Sequence, residues 1–195
     1  MSNPPRWFRT GAVRNQVSGS TLLFVCTGNI CRSAFAAAAL RARVGDRADT
    51  CVVSAGIRAM QGWPMDPGMA RAGAELGLAL GGHEARQVTG RMIANTAAVV
   101  VFGPEHRAWM RQEFPEHMGR VLAIGQVARG LGMLPRNRRL PLTQVVEAVT
   151  SGAPRIVDTD WIEDPYGYDD RVKMICAKRI LAAVDILATR VDWGD

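Results

Sequence analysis

The sequence predicts an α/β fold, a parallel sheet covered by helices on both faces, and three observations carry that expectation. Short continuous apolar runs recur, among them TLLFV (Thr21–Val25) and AAVVVF (Ala97–Phe102), as strands buried on both faces require. Each run is followed by a stretch of helical character, the alternation that builds parallel sheets. The last such stretch sets Val172, Ile175, Cys176, Ile180, Ala183, Val184, Leu187 and Val191 at helical spacing, which makes one apolar face for a sheet.

Each element follows from its residues. TLLFV reads as a buried strand, a Gly-containing turn follows, and SAFAAAALRARVG is rich in the strongest helix formers. TCVVSA (Thr50–Ala55) is a second short strand. After a loop rich in Gly and Pro, PGMARAGAELGL reads as a helix opened by Pro67 and closed near Gly81 and Gly82. AAVVVF is the third strand, PEHRAWMRQEF a helix, and RVLAI (Arg120–Ile124) the fourth strand. Between Gly125 and Asp160, Gly, Pro and Arg cluster and only LTQVVEAVT looks helical, so an elaborated loop is expected there. The final helix runs from about Asp170 to Val191. No repeat or internal boundary is visible, so residues 21–195 read as one domain with an extended loop at about 125–160.

Composition narrows the function classes. A chain of 195 residues with 48% apolar side chains supports one buried core. No apolar run approaches the ~20 residues of a membrane helix. Residues 1–20 carry three arginines, no acid and no signal-like apolar stretch, and read as a disordered basic arm. Cysteines 26, 31, 51 and 176 match neither zinc spacing nor a disulfide framework, and fit reduced thiols in a cytoplasm. The net charge of +6, from 22 arginines and two lysines, favours anionic ligands. The arginines are scattered, with no basic run beyond Arg136–Arg139, which argues against a nucleic-acid partner.

The chemistry concentrates in Val25-Cys26-Thr27-Gly28-Asn29-Ile30-Cys31-Arg32-Ser33, between the first strand and the first helix. Ligands of open α/β sheets bind at the carboxyl ends of strands, where a helix N-terminus offers unpaired N–H groups to an anion. Five residues between Cys26 and Arg32 let the loop amides wrap a tetrahedral oxyanion while the guanidinium grips two of its oxygens. The electropositive setting favours the thiolate of Cys26, and the Ser33 hydroxyl can donate to it. Gly28 and Asn29 tolerate backbone angles that a tightly curled loop needs. Cys26 and Cys31 bracket that loop and are candidates for a reversible disulfide.

In a chain with four cysteines and 22 arginines a bare Cys-x5-Arg arises readily by chance; the full string, in its strand-loop-helix setting, carries the signal. It resembles the signature of the low-molecular-weight protein tyrosine phosphatases. The resemblance extends through Ser54-Ala55-Gly56, Asp66-Pro67, HEARQVT (His83–Thr89) and IEDPY (Ile162–Tyr166). It implies a central four-stranded parallel sheet and a cysteinyl-phosphate intermediate, with no metal and no cofactor. It also implies that Cys26 is the nucleophile, Arg32 the phosphate clamp and Asp164 the general acid. Thr27, Gly28, Asn29, Ile30, Cys31 and Ser33 line the phosphate, and Tyr166 is an aromatic wall for the substrate ring. The expected substrates are phosphotyrosine proteins or aryl phosphates.

Asp66-Pro67 is expected to be a decoy, because an Asp before the first proline of a helix is capping chemistry. Met60 and Trp63 are candidates for the second wall, and His83 and Arg86 for a supporting network. Ala34 departs from the family's proline, and Phe102-Gly103-Pro104 from a more polar family segment. Three rivals remain in view: a thiol-dependent arsenate reductase, which needs two further cysteines after the third strand; a phosphoarginine phosphatase, disfavoured by Ile30; and an inactive phosphate-binding module.

Overall fold

The structure is a computed structural model that describes residues 21–45, 51–80 and 82–194, with only the backbone of Cys51. The basic arm expected at residues 1–20 lies outside them. Four parallel strands, β1 (Thr21–Cys26), β2 (Cys51–Gly56), β3 (Thr96–Val101) and β4 (Val121–Ala123), form one sheet in the order β2-β1-β3-β4. β1 therefore lies inside the sheet.

Alternation of side chains along β1 explains why both faces need cover. Leu22, Phe24 and Cys26 enter one core cluster, Leu23 and Val25 another, and all five are buried. The first cluster takes the apolar sides of α1 (Arg32–Val44), α2 (Pro67–Glu75), α5 (Ile124–Gly132), α6 (Val145–Gly152) and α7 (Asp170–Arg190). The second takes Ile93 from α3 (Gly90–Ala94) and Met110 from α4 (Pro104–Glu113). Each Leu, Val or Phe buried from β1 contributes about 1.5–3 kcal/mol. No helix among the described residues is long and apolar enough to cross a membrane.

Two sequence expectations are corrected. α2 stops at Glu75, because Gly77 adopts φ 76° just past Leu76 and Leu78 N–H donates back to Gly73 O at 2.9 Å, a glycine-capped end. Gly81 and Gly82 have no part in ending the helix. The segment read as an elaborated loop at 125–160 is instead built from α5, β5 (Leu140–Pro141), a 3-10 turn at Leu142–Gln144, α6 and a second 3-10 turn at Asp158–Asp160. Its glycines are packing points rather than breakers. A Cβ on Gly130 would fall 2.7 Å from Val149 Cα, so α5 and α6 can approach only with glycine there. β5 pairs with β6 (Val191–Asp192), which carries the chain back beyond α7.

Candidate active site

β1 ends at Cys26 and α1 begins at Arg32, so the signature loop lies at the carboxyl edge of the sheet. Every carbonyl from Cys26 to Cys31 is engaged on the loop's outer side. Cys26 O accepts from Ile57 N at 2.9 Å, Thr27 O from Arg58 N at 3.0 Å, and Gly28 O from Met60 N at 3.0 Å. Asn29 O accepts from His83 Nε2 at 2.6 Å, Ile30 O from Asp66 N at 2.8 Å, and Cys31 O from Phe35 N at 2.9 Å. In a planar trans peptide the N–H points opposite to the C=O. Six outward carbonyls therefore turn the amides of Thr27 to Arg32 inward, the arrangement that cradles an anion. The N-cap of α1, Cys31, makes no side-chain capping bond, which leaves that helix end to the same cradle.

The loop's curl rests on Asn29, at φ 56° the one non-glycine among the described residues with positive φ. Gly28 is not in the left-handed region, contrary to expectation, and a Cβ there would meet only ordinary contacts, Ile30 Cγ1 at 3.5 Å and Met60 Cγ at 3.7 Å. The strained position moves to Asn29 because its side chain is fully bonded: Oδ1 accepts from Arg86 N at 2.9 Å and Nδ2 donates to Ser33 Oγ at 2.9 Å. Arg86 Nε also donates to Ser54 O at 2.9 Å, so His83 and Arg86 form the supporting network the sequence suggested. Burial holds His83 below its usual pKa, and its neutral ring donates to Asn29 O. Gly56 is required for closeness, since a Cβ on it would fall 2.4 Å from Thr27 O.

Ser33 Oγ lies 2.9 Å from Cys26 Sγ and 3.3 Å from Ala55 O, while receiving Asn29 Nδ2. Its proton is thus free to go to a thiolate at Cys26. Cys31 is buried, and that burial, together with Asp66 and Cys26, pushes its thiol far up. Ile30 is buried, with 5% of its surface exposed.

Arg32 is 2% exposed, with Nη1 donating to Ile162 O at 3.1 Å and Nη2 standing 2.6 Å from Asp164 Oδ2. Its buried Nε has no hydrogen-bond partner. An unpaired N–H of a buried guanidinium is costly unless the site is built for an acceptor that completes it. Asp164 is half exposed on the turn before α7, and its Oδ1 accepts from Tyr166 N at 3.2 Å. Tyr166 follows with 54% of its surface exposed. Met60 leans on the loop at Gly28, whereas Trp63 is 56% exposed. Asp66 is structural: Oδ1 caps α2 through Met69 N at 3.0 Å and lies 3.0 Å from Lys173 Nζ.

Two residues that sequence reasoning passed over complete the rim. His106, fully buried at the start of α4, accepts Gly103 N–H at Nδ1 (2.9 Å), so its proton is on Nε2, which lies 3.0 Å from Thr27 Oγ1. Burial, and then the Arg32 charge, push its pKa down to about 3. Glu105 Oε1 sits 3.2 Å from that Nε2 and 3.7 Å from Arg32 Nη1. The available signal was their position, the first turn of a helix that follows a strand's carboxyl end.

Cys176 is buried on α7, its thiol pushed up to about 12 by burial, and Phe102–Arg120 contains no cysteine. The second and third thiols of a reductase relay are thus missing from the place where that rival needs them.

Comparison with known proteins agrees with this geometry. Residues 21–132 match the family model for low molecular weight phosphotyrosine protein phosphatase. A probable low molecular weight protein-tyrosine-phosphatase, EpsP, from Ralstonia solanacearum is 35% identical over 107 residues, 55% of this chain and 72% of that protein. Two solved structures share the fold. The Escherichia coli K30 tyrosine phosphatase Wzb with sulphate has TM-score 0.66 and 22% identity, covering 87% of this chain and 96% of that one. The YwlE arginine phosphatase from Geobacillus stearothermophilus has TM-score 0.66 and 24% identity, covering 87% and 90%. The family match ends before Asp164, whose part in the site rests on geometry. With a family model over more than half its length and a phosphate cradle at the end of its first strand, this chain belongs to the low molecular weight phosphotyrosine protein phosphatases.

Proposed function

We propose that Cys26 is the nucleophile, Arg32 the phosphate clamp and Asp164 the general acid and base of this protein-tyrosine phosphatase. The observation that carries the reading is the ring of outward carbonyls closed by a buried Arg32 whose Nε lacks an acceptor. A phosphate monoester supplies oxygens to that Nε and to the inward amides, and its phosphorus then lies above Cys26 Sγ.

In the first step Sγ attacks phosphorus, the P–O bond to the tyrosyl ring breaks, and the proton of Asp164 passes to the departing oxygen. Ser33, 2.9 Å from Sγ, supports the thiolate before attack and again when it is released. In the second step the Asp164 carboxylate takes a proton from water, the water oxygen bonds to phosphorus, and the S–P bond breaks to free thiolate and orthophosphate. The Asp164 to Arg32 contact of 2.6 Å belongs to the site without substrate. A bound phosphate dianion competes for the guanidinium and frees Asp164 to face the leaving oxygen. Thr27, Gly28, Asn29, Ile30 and Cys31 supply the backbone cradle, and Tyr166 stands beside the acid for the substrate ring.

Cys26→Ser tests this reading. The variant is expected to lose turnover of p-nitrophenyl phosphate and keep affinity for vanadate or phosphate, because amides and Arg32 survive. More than a trace of turnover in it removes Cys26 from the mechanism.

A further inference from the structure

Asp160 is the one carboxylate among the described residues that is nearly wholly buried, at 1% exposure, and the chemistry above makes no use of it. It precedes Asp164 by four residues. Arg129 on α5 grips it with both arms, Nε to Oδ1 at 2.8 Å and Nη2 to Oδ2 at 2.7 Å, the fork geometry of a strong carboxylate pair. The same Nη2 donates to Arg155 O at 2.8 Å, and Val157 N donates to Asp160 Oδ2 at 2.9 Å. Burial alone raises the carboxyl pKa of Asp160, but Arg129 and the Val157 N–H outweigh it and hold the group ionised.

The surroundings turn this pair into a mount. The Asp160 backbone rests on α5, where a Cβ on Gly125 would lie 2.3 Å from Asp160 Cα. From α7, Arg179 Nη2 donates to Thr159 O at 3.1 Å and to Trp161 O at 2.8 Å. Two residues on, Ile162 N donates to Phe102 O at 2.8 Å and Ile162 O accepts from Arg32 Nη1 at 3.1 Å. The chain then reaches Asp164, at most about 14 Å of extended backbone from Asp160. A shift of Asp160 is thus opposed only at Trp161 and Ile162 before it reaches the acid.

We propose that the Arg129–Asp160 pair is a positioning device that seats the 155–164 segment so that Asp164 meets the leaving oxygen. The inference rests on the reading of Asp164 as general acid. Proton transfer tolerates displacements well under an ångström, so loosening the mount weakens the acid without touching the phosphate cradle.

The test compares phenyl phosphate, a poor leaving group, with p-nitrophenyl phosphate, a good one, in Arg129→Gln, Asp164→Ala and the double variant. Arg129→Gln is expected to lower kcat on phenyl phosphate about tenfold and on p-nitrophenyl phosphate by about twofold or less, with KM little changed. It adds no further loss in the Asp164→Ala background, and Arg129→Lys recovers part of the selective loss. Asp160→Asn, which keeps the side-chain shape, is expected to give the same pattern and carries the test if Arg129→Gln does not fold. Equal losses on both substrates, or full additivity with Asp164→Ala, overturn the positioning role and leave the acid reading standing. An Asp164→Ala variant without leaving-group selectivity overturns both.

Discussion

Asp164 and Asp66, each followed by proline, are held in opposite ways: Asp164 meets the buried Arg32 at 2.6 Å from a half-exposed turn, whereas Asp66 is spent on the α2 cap and on Lys173. The tertiary environment, and not the dipeptide, separates a candidate acid from a structural one.

That contrast sets the first prediction. Asp164→Ala is expected to lower turnover on phosphotyrosine by roughly 10² to 10⁴, and on p-nitrophenyl phosphate visibly less, since a nitrophenolate leaves without a proton. Steady-state kinetics on the two substrates measures it, and equal losses count against the assignment.

Asp66→Ala is the complement. Losing the cap and leaving Lys173 unpaired in a largely buried site should cost about 1–3 kcal/mol of stability. Leaving-group sensitivity should stay as in the parent protein. Urea unfolding and the same kinetics read both outcomes.

Gly56→Ala should damage stability and activity together. Its Cβ would stand 2.4 Å from Thr27 O, a backbone atom that cannot move without deforming the phosphate loop. A cost of about 1–3 kcal/mol is expected, with weaker vanadate affinity. Unchanged affinity in a folded variant would show that the loop does not depend on this contact.

His106 makes stability depend on pH. Its pKa is about 3 in the folded protein against an ordinary value of 6.5, so the unfolded chain binds the extra proton below pH 6.5. Stability from this group is present above 6.5 and is lost as pH falls towards 3; between pH 7.5 and 5 the loss is about 2 kcal/mol. His83, also shifted down by burial, adds in the same direction. Denaturant unfolding at the two pH values should show that slope, and His106→Asn should flatten it.

Mild peroxide is expected to link Cys26 and Cys31. Oxidation of Cys26 gives a sulfenic acid, and the Cys31 thiol condenses with it, releasing water. Peptide mapping that finds only sulfinic acid at Cys26 counts against the pair.

By itself the sequence determined the parts whose cause is local. Apolar runs marked the strands of the sheet, because a strand covered on both faces tolerates no polar position. The string from Cys26 to Ser33 marked the anion cradle, and Pro67 marked Asp66 as a cap. The tertiary structure decided what depends on residues far apart in the chain. Glycines at 125 and 130 looked like loop signals until Asp160 and Val149 were found packed against them. His106 and Glu105 joined the rim only when β3 carried α4 to the phosphate loop, and Arg129 met Asp160 across 31 positions. Burial and long-range hydrogen bonds set these relationships, and neither leaves a periodic mark in the order of residues.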